Sequence, residues 1–357
     1  MTHSAPCPIY GACGGCTLQH LDWDAYFAHK TAHLVAPLTA AGIPHTHMAP
    51  LHILKGPLRR RAVLKATRIG RETRIGFYAP KSHQVVDMPT CLVLRPSLVA
   101  LLGPLRQLLT PFLRPKKQMH IALLDTDQGV DVAFVDKDLP PLTLDDRERL
   151  TAFAHAQNLA RLRWGEDPLL VQRVPHLNFS GVRVAADALA FAQASDEADA
   201  FLTQTVLDHV GEGTQTALDL FCGRGLFTFA LLHKVKKVTA MDSDVRAVGA
   251  LKVAARPFLT RVTPTVQDLF RAPVQARDMD VDLVLLDPPR AGAPAQVKEI
   301  AKARPARVIY VSCNPSTFAK DAGHLLRAGY HVTFLQGLDQ FLWSSHLEII
   351  AVFDKIA

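Results

Sequence analysis

Residues 216–227, TALDLFCGRGLF, read as a short apolar strand, a glycine-rich reversal and the opening of a helix. TALDLFC (216–222) has the length and residue types of a strand, and Gly223 and Gly225 supply the backbone freedom that a tight turn needs. Moving outward, the same unit recurs as KVTAMDS (237–243), RVTPTVQD (261–268), VDLVLLDPP (281–289), RVIYVSC (307–313) and LEIIAVFDK (347–355), with amphipathic stretches between. Such alternation implies βαβ crossovers and a mostly parallel, doubly wound, Rossmann-like sheet covered on both faces. Before about residue 185 the pattern changes. RAVLKATRI (61–69), TRIGFYAP (73–80) and VDVAFVD (130–136) read as strands, and PSLVALLGPLRQLLTPFL (96–113) reads as helix, which is α+β character. The chain is therefore expected to be α/β with two domains, 1–185 and 186–357.

At 357 residues the chain can bury two cores without disulfides. The start has no basic segment followed by an apolar run, and no stretch of about 18 apolar residues follows, so a cytoplasmic protein with reduced thiols and no membrane partner is expected. Forty Lys and Arg against 33 Asp and Glu give a formal charge of +7. The excess is uneven: between Lys55 and Lys81 nine residues are basic and Glu72 alone is acidic. That density is expected to meet a polyanion such as RNA.

Open α/β sheets bind ligands beyond the carboxyl ends of their strands. Here those ends carry Asp219 before the glycine turn, Asp242, and Asp268 in ordered succession. The succession resembles S-adenosylmethionine-dependent methyltransferases. LLDPPRAG (285–292), YVSCNP (310–315), QFLWSSHLE (340–348) and FAQAS (191–195) are together similar to the RNA uracil-5-methyltransferase family, whose members form 5-methyluridine in 23S ribosomal RNA and in tRNA. The chain departs from the family pattern at Leu342 (usually Pro), Ser195 (Asn), Leu226 (Asn) and Asp242 (Glu). The resemblance implies that Gln193, Phe221, Asp242 and Asp268 contact the cofactor, S-adenosylmethionine, and that Asp287 lines the donor pocket or holds the uracil edge.

Carbon 5 of uracil is a poor nucleophile until a thiolate adds to carbon 6, and its proton must later leave to a base. Cys313 is the expected nucleophile and Glu348 the expected base. Pro315, opening a helix just after Cys313, is expected to place positive helix-dipole charge near the thiol and lower its pKa. Cys222 reads as packing beside the cofactor.

Cys7, Cys13 and Cys16 need a fourth partner, and Cys91 is the candidate. Four thiolates suit zinc or an iron–sulfur cluster. GGCTLQHL with the following Lys30, and IGFYAPKSHQVVDMPTC, resemble the iron–sulfur subgroup of the family. That resemblance implies a structural four-iron, four-sulfur cluster. Arg59, Arg60 and Arg61 in LRRRAVLK are similar to a family segment that faces RNA and are expected to hold phosphates. With its cysteines starting at residue 7, the chain resembles the 23S ribosomal RNA enzymes that lack a leading oligonucleotide-binding barrel; a tRNA target is the alternative. One catalytic set per chain is compatible with a monomer. The competing expectations are a cytosine-5 methyltransferase, disfavoured by the context of the cysteine, and a non-catalytic iron–sulfur RNA-binding module.

Overall fold

The computed structural model describes residues 4–46, 48–114 and 117–355. In chain order the strands are β1 (His52–Ile53), β2 (Arg61–Ile69), β3 (Glu72–Gly76), β4 (Gln118–Thr126), β5 (Gly129–Phe134), β6 (Arg161–Trp164), β7 (Asp167–Val171), β8 (His176–Phe179) and β9 (Val182–Ala185). Then follow β10 (Thr216–Leu220), β11 (Lys237–Asp242), β12 (Val262–Val266), β13 (Leu283–Leu286), β14 (Arg307–Ser312), β15 (Tyr330–Asp339) and β16 (Glu348–Lys355).

The larger sheet has the order β1-β15-β16-β14-β13-β10-β11-β12. From β12 through β14 the pairs are parallel, while β16 runs antiparallel to both its neighbours. Chain order reverses between β10 and β13, and a crevice at such a point is where doubly wound sheets take ligands. β13 lies there between two partners, and its LVLL run is buried throughout, as an interior parallel strand requires.

The smaller sheet, β3-β2-β4-β5-β6-β7, is antiparallel apart from the β5–β6 pair. β2 alternates half-buried and buried residues over most of its length, and its buried face packs Leu64 and Ala66 against Leu102 and Leu105 of the helix Leu102–Leu109. β8 and β9 form a separate hairpin whose Phe179 and Val184 share a cluster with Phe229 and Leu251, so it joins the two sheets' layers.

The helix Trp23–Ala40, capped by Asp22 on the N–H of Ala25, does not pack on the smaller sheet. Its Leu34 and Leu38 enter the core formed by Tyr310, Phe318 and Tyr330, and β1 adds a parallel edge to β15. The layer that carries residues 186–357 is therefore completed by residues from well before position 185. Gly337 shows why β15 contains a glycine: a Cβ there would lie 2.8 Å from both Leu34 Cδ2 and Leu51 Cδ1. Among the described residues no helix is long and apolar enough to cross a membrane.

Candidate active site

At the end of β10 the chain reverses sharply. Phe221 takes a left-handed backbone conformation (φ 61°), as does Gly225 (φ 92°), where a Cβ would stand 2.5 Å from Leu251 Cδ1. The turn brings the N–H of Gly223 to the carboxylate of Asp242, 2.9 Å away, and the N–H of Asp244 donates to the other oxygen at 2.8 Å. Past β12, Asp268 accepts from the N–H groups of Phe270 and Arg271. The rings of Phe221 and Phe270 lie 5.6 Å apart and form an apolar wall, with Phe270 partly exposed.

Behind this wall sits unbalanced negative charge. Asp219 is fully buried; one oxygen accepts from Thr228 Oγ1 at 2.5 Å and the other has no partner. Burial, helped by the charges of Asp287 and Asp242, pushes its carboxyl up to about 7. Asp287, whose N–H donates to the carbonyl of Leu220, is likewise pushed to about 7 by burial and by Asp242. Three carboxylates gathered in this way favour a cationic ligand at the ends of these strands.

Cys313 follows β14 and precedes the helix Pro315–Arg327, where Asn314 caps the N–H of Ser316. Its thiol is half-buried, and its pKa is pushed up to about 11, first by burial and then by the charges of Glu348 and Asp287, with Arg290 opposing. The helix terminus was expected to lower it. Burial, followed by Glu348 and Asp287, raises it instead. Glu348, the first residue of β16, is buried, and burial together with Asp287 raises its carboxyl well above the usual range. Gln340 organises this region: its Nε2 donates to Gln193 Oε1 (2.7 Å) and to Glu348 Oε1 (3.2 Å), and its Oε1 accepts from the N–H of Ala194 (2.8 Å).

The other four expected ligands also meet. Cys7, Cys13, Cys16 and Cys91 line one small cavity together with Arg59, Gln19 and Phe77. Burial raises the Cys13 and Cys16 thiols, and each also feels the Cys91 charge. Arg59 lies near Cys16 and Cys91, and its Nε is buried without a partner. Among the described residues no group of three or more His, Cys, Asp or Glu side chains has the spacing of a metal-ion site. The cysteines surround a space instead of converging on one point.

Residues 185–356 match the sequence model of the tRNA (uracil-5-)-methyltransferase family. The chain is 36% identical over 360 residues to an uncharacterised RNA methyltransferase of Rhizobium meliloti, covering 99% of this chain and 85% of that one. It is 34% identical over 364 residues to the 23S rRNA (uracil(1939)-C(5))-methyltransferase RlmD of Pseudomonas aeruginosa, covering 98% of this chain and 80% of the relative. The chain belongs to the RNA uracil-5-methyltransferase family. Its fold is shared with the tRNA (uracil-54, C5)-methyltransferase of Pyrococcus abyssi, solved with S-adenosyl-L-homocysteine, at a TM-score of 0.73, 22% identity, and coverage of 96% of this chain and 86% of that one.

In this RNA methyltransferase the arginine row differs from expectation. Arg60 is 1% exposed; it donates to both Asp196 and Asp199 and to the carbonyl of Gln193. A guanidinium spent on interior partners has none left for a phosphate, so Arg60 is corrected to a strut that ties the start of β2 to the helix Asp196–Asp208. Arg59 faces the cysteine cavity, its cation 5.5 Å from the Phe341 ring centroid, and Arg61 donates from Nε to the carbonyl of Ala188. The reason is position: the N–H of Arg60 donates to Ala194 and its carbonyl accepts from Asp125, threading this segment through the interior. Sequence reasoning missed Gln340 and Phe270. A lone glutamine before an apolar loop carries no local signal, whereas Phe270, two residues after Asp268, could have been found by its place at a strand end.

Proposed function

We propose that this enzyme transfers a methyl group from S-adenosylmethionine to carbon 5 of a uridine in 23S ribosomal RNA. The observation that carries the donor part is the group of carboxylates Asp219, Asp242 and Asp287 at the strand ends, together with the Phe221 and Phe270 ring pair, which suits a cationic sulfonium compound with an aromatic ring system. When bound, that cofactor supplies an electrophilic methyl group. Asp242, with each oxygen already held by one backbone N–H, keeps lone pairs for ribose hydroxyls, and Gln193, held by Gln340, is assigned as a further cofactor contact. Asp268 fits a further contact from the end of β12.

Cys313 loses its thiol proton to solvent, the thiolate Sγ forms a bond to carbon 6 of the uracil, and the ring's double-bond electrons move into an enolate that makes carbon 5 nucleophilic. After carbon 5 is methylated, Glu348 takes its proton, the carbon 5–carbon 6 double bond re-forms and the bond to Sγ breaks. The proximity of Cys313, Glu348 and Asp287, evident in their mutual charge effects, supports this assignment. Cys313→Ala is expected to abolish methyl transfer while retaining binding of S-adenosylhomocysteine. Glu348→Gln is expected to accumulate a denaturant-resistant enzyme–RNA adduct, absent from the double variant. Normal turnover by Glu348→Gln, without adduct, would assign the proton to another base. Mapping 5-methyluridine in the ribosomal RNA and tRNA of a deletion strain separates the 23S target from the tRNA alternative.

We infer that Cys7, Cys13, Cys16 and Cys91, which line one cavity, would hold a four-iron, four-sulfur cluster, whose four thiolate ligands would give the bound assembly a net negative charge. The buried, unpartnered Arg59 Nε beside the cavity is a counter-charge suited to such an anion. Protein purified without oxygen should contain about four irons per chain, and Cys91→Ser should lose them. Stoichiometric zinc without iron would overturn the cluster.

A further inference from the structure

We infer that His29, His33, His346 and Arg290 form a binding site for the phosphodiester on the 5′ side of the target uridine, which rests on Cys313 being the group that attacks carbon 6. His29 and His33 stand one turn apart on the exposed face of the helix Trp23–Ala40. The Nζ of Lys30, on the same helix, donates to the carbonyl of His346, which brings the loop before β16 onto that helix. Arg290 is exposed, and its carbonyl accepts from Asn314 Nδ2 (3.0 Å) and Thr317 Oγ1 (3.2 Å), so its backbone is pinned beside Cys313.

The cluster has no internal counter-charge. His33 feels Lys30, His29 and Arg290; His346 feels Arg290, Arg59, Lys30 and His33; no carboxylate acts on either. Burial and these cations lower both imidazoles, a state that a phosphate would reverse. Asp339 neutralises Lys30 but neither histidine. Nucleotide geometry supplies the reason for a phosphate here. Carbon 6 is bonded to the nitrogen that carries the ribose, and in the anti conformer its edge faces that nucleotide's own 5′ phosphate. A thiol that reaches carbon 6 therefore sits close to a phosphodiester, and Arg290, the cation that acts on Cys313 and also on His33 and His346, ties the cluster to the place where that charge comes. Because the bound anion raises the imidazole pKa values, protons are taken up on binding and affinity rises as pH falls.

The experiment uses transcripts of 23S ribosomal RNA and tRNA made with 5-fluorouridine, whose fluorine cannot leave as a proton does, so that thiol attack is recorded as a stable adduct. Affinity of the whole enzyme is measured against salt and pH with unmodified transcripts, and S-adenosylhomocysteine binding controls for folding. His29→Gln/His33→Gln is expected to bind about tenfold more weakly near pH 5.5, to lose most of the pH dependence between about 5.5 and 8, and to show a salt slope reduced by roughly 0.7 for each phosphate no longer neutralised. His33→Glu should weaken binding further, beyond the neutral variant. Wild-type pH and salt dependence in both variants, with adduct still formed, would overturn the phosphate site alone. Absence of adduct in the wild-type enzyme would overturn the thiol reading and with it the location of the phosphate.

Discussion

Cys313, the proposed nucleophile, has its thiol pushed up to about 11, first by burial and then by Glu348 and Asp287. A thiol raised to about 11 is protonated at neutral pH, and the two carboxylates that raise it belong to the same site. A cationic cofactor beside these carboxylates would offset their charge and favour the thiolate. Removing the Glu348 charge favours the thiolate, so Glu348→Gln is expected to shift the alkylation profile of Cys313 to lower pH. Iodoacetamide labelling of the free enzyme across the alkaline range, followed by peptide mass spectrometry, measures this; an unmoved profile would separate the two side chains. Gln340 and Arg60 show the complementary case, in which polar groups with interior partners fix geometry and do no chemistry themselves.

At the scale of elements, the loop between β15 and β16 decides where Glu348 stands, and the first helix holds that loop. Lys30 and Asp339 form a fully buried ion pair at 2.9 Å, Tyr26 donates to Asp339, and the N–H of Trp343 donates to the Tyr26 hydroxyl. Thr17 and Leu18, next to the cysteine cavity, donate through their N–H groups to the carbonyl of Trp343. Lys30→Met leaves Asp339 buried and unpaired and is expected to cost about 3–5 kcal/mol. Lys30→Met/Asp339→Leu removes both charges and should recover much of that loss, as read from urea unfolding. A double variant no more stable than the single one would locate the penalty outside the ion pair. Turnover should not recover in parallel, because the loop has also lost its attachment.

For the whole molecule, the division of the chain near residue 185 is our proposal for its two units, and the helix Trp23–Ala40 shows what it leaves out. Leu34, Leu38 and Ile43 belong to the core of the larger sheet, and β1 covers an edge of β15. A fragment of residues 186–357 would expose that core surface and leave β15 unpaired on one side, an edge open to association. It is expected to aggregate, whereas co-expression with residues 1–185 should restore a soluble complex; analytical ultracentrifugation distinguishes the outcomes. A soluble, monomeric fragment with native-like near-ultraviolet circular dichroism would show that the first helix is dispensable for the fold.

The parallel strands β10 to β14 were legible from local pattern, since a strand buried on both faces must be a short apolar run and its connection must be a helix long enough to cross back. The places of Asp219, Asp242 and Cys313 at strand ends were legible for the same reason, since residue type and position are read together there, whereas Glu348, which opens β16, was reached through the family resemblance. β15 was not legible in this way, because Gly337 interrupts its pattern and the packing of Leu34 and Leu51 that requires a glycine lies about 300 residues away in the chain. The inward course of Arg59, Arg60 and Arg61 was hidden too. Three adjacent arginines look like a surface until Asp196, Asp199 and the cysteine cavity are folded around them. Sequence determined which strands and turns could form, because those depend on neighbours; tertiary structure decided which charges find interior partners, because burial depends on the rest of the chain.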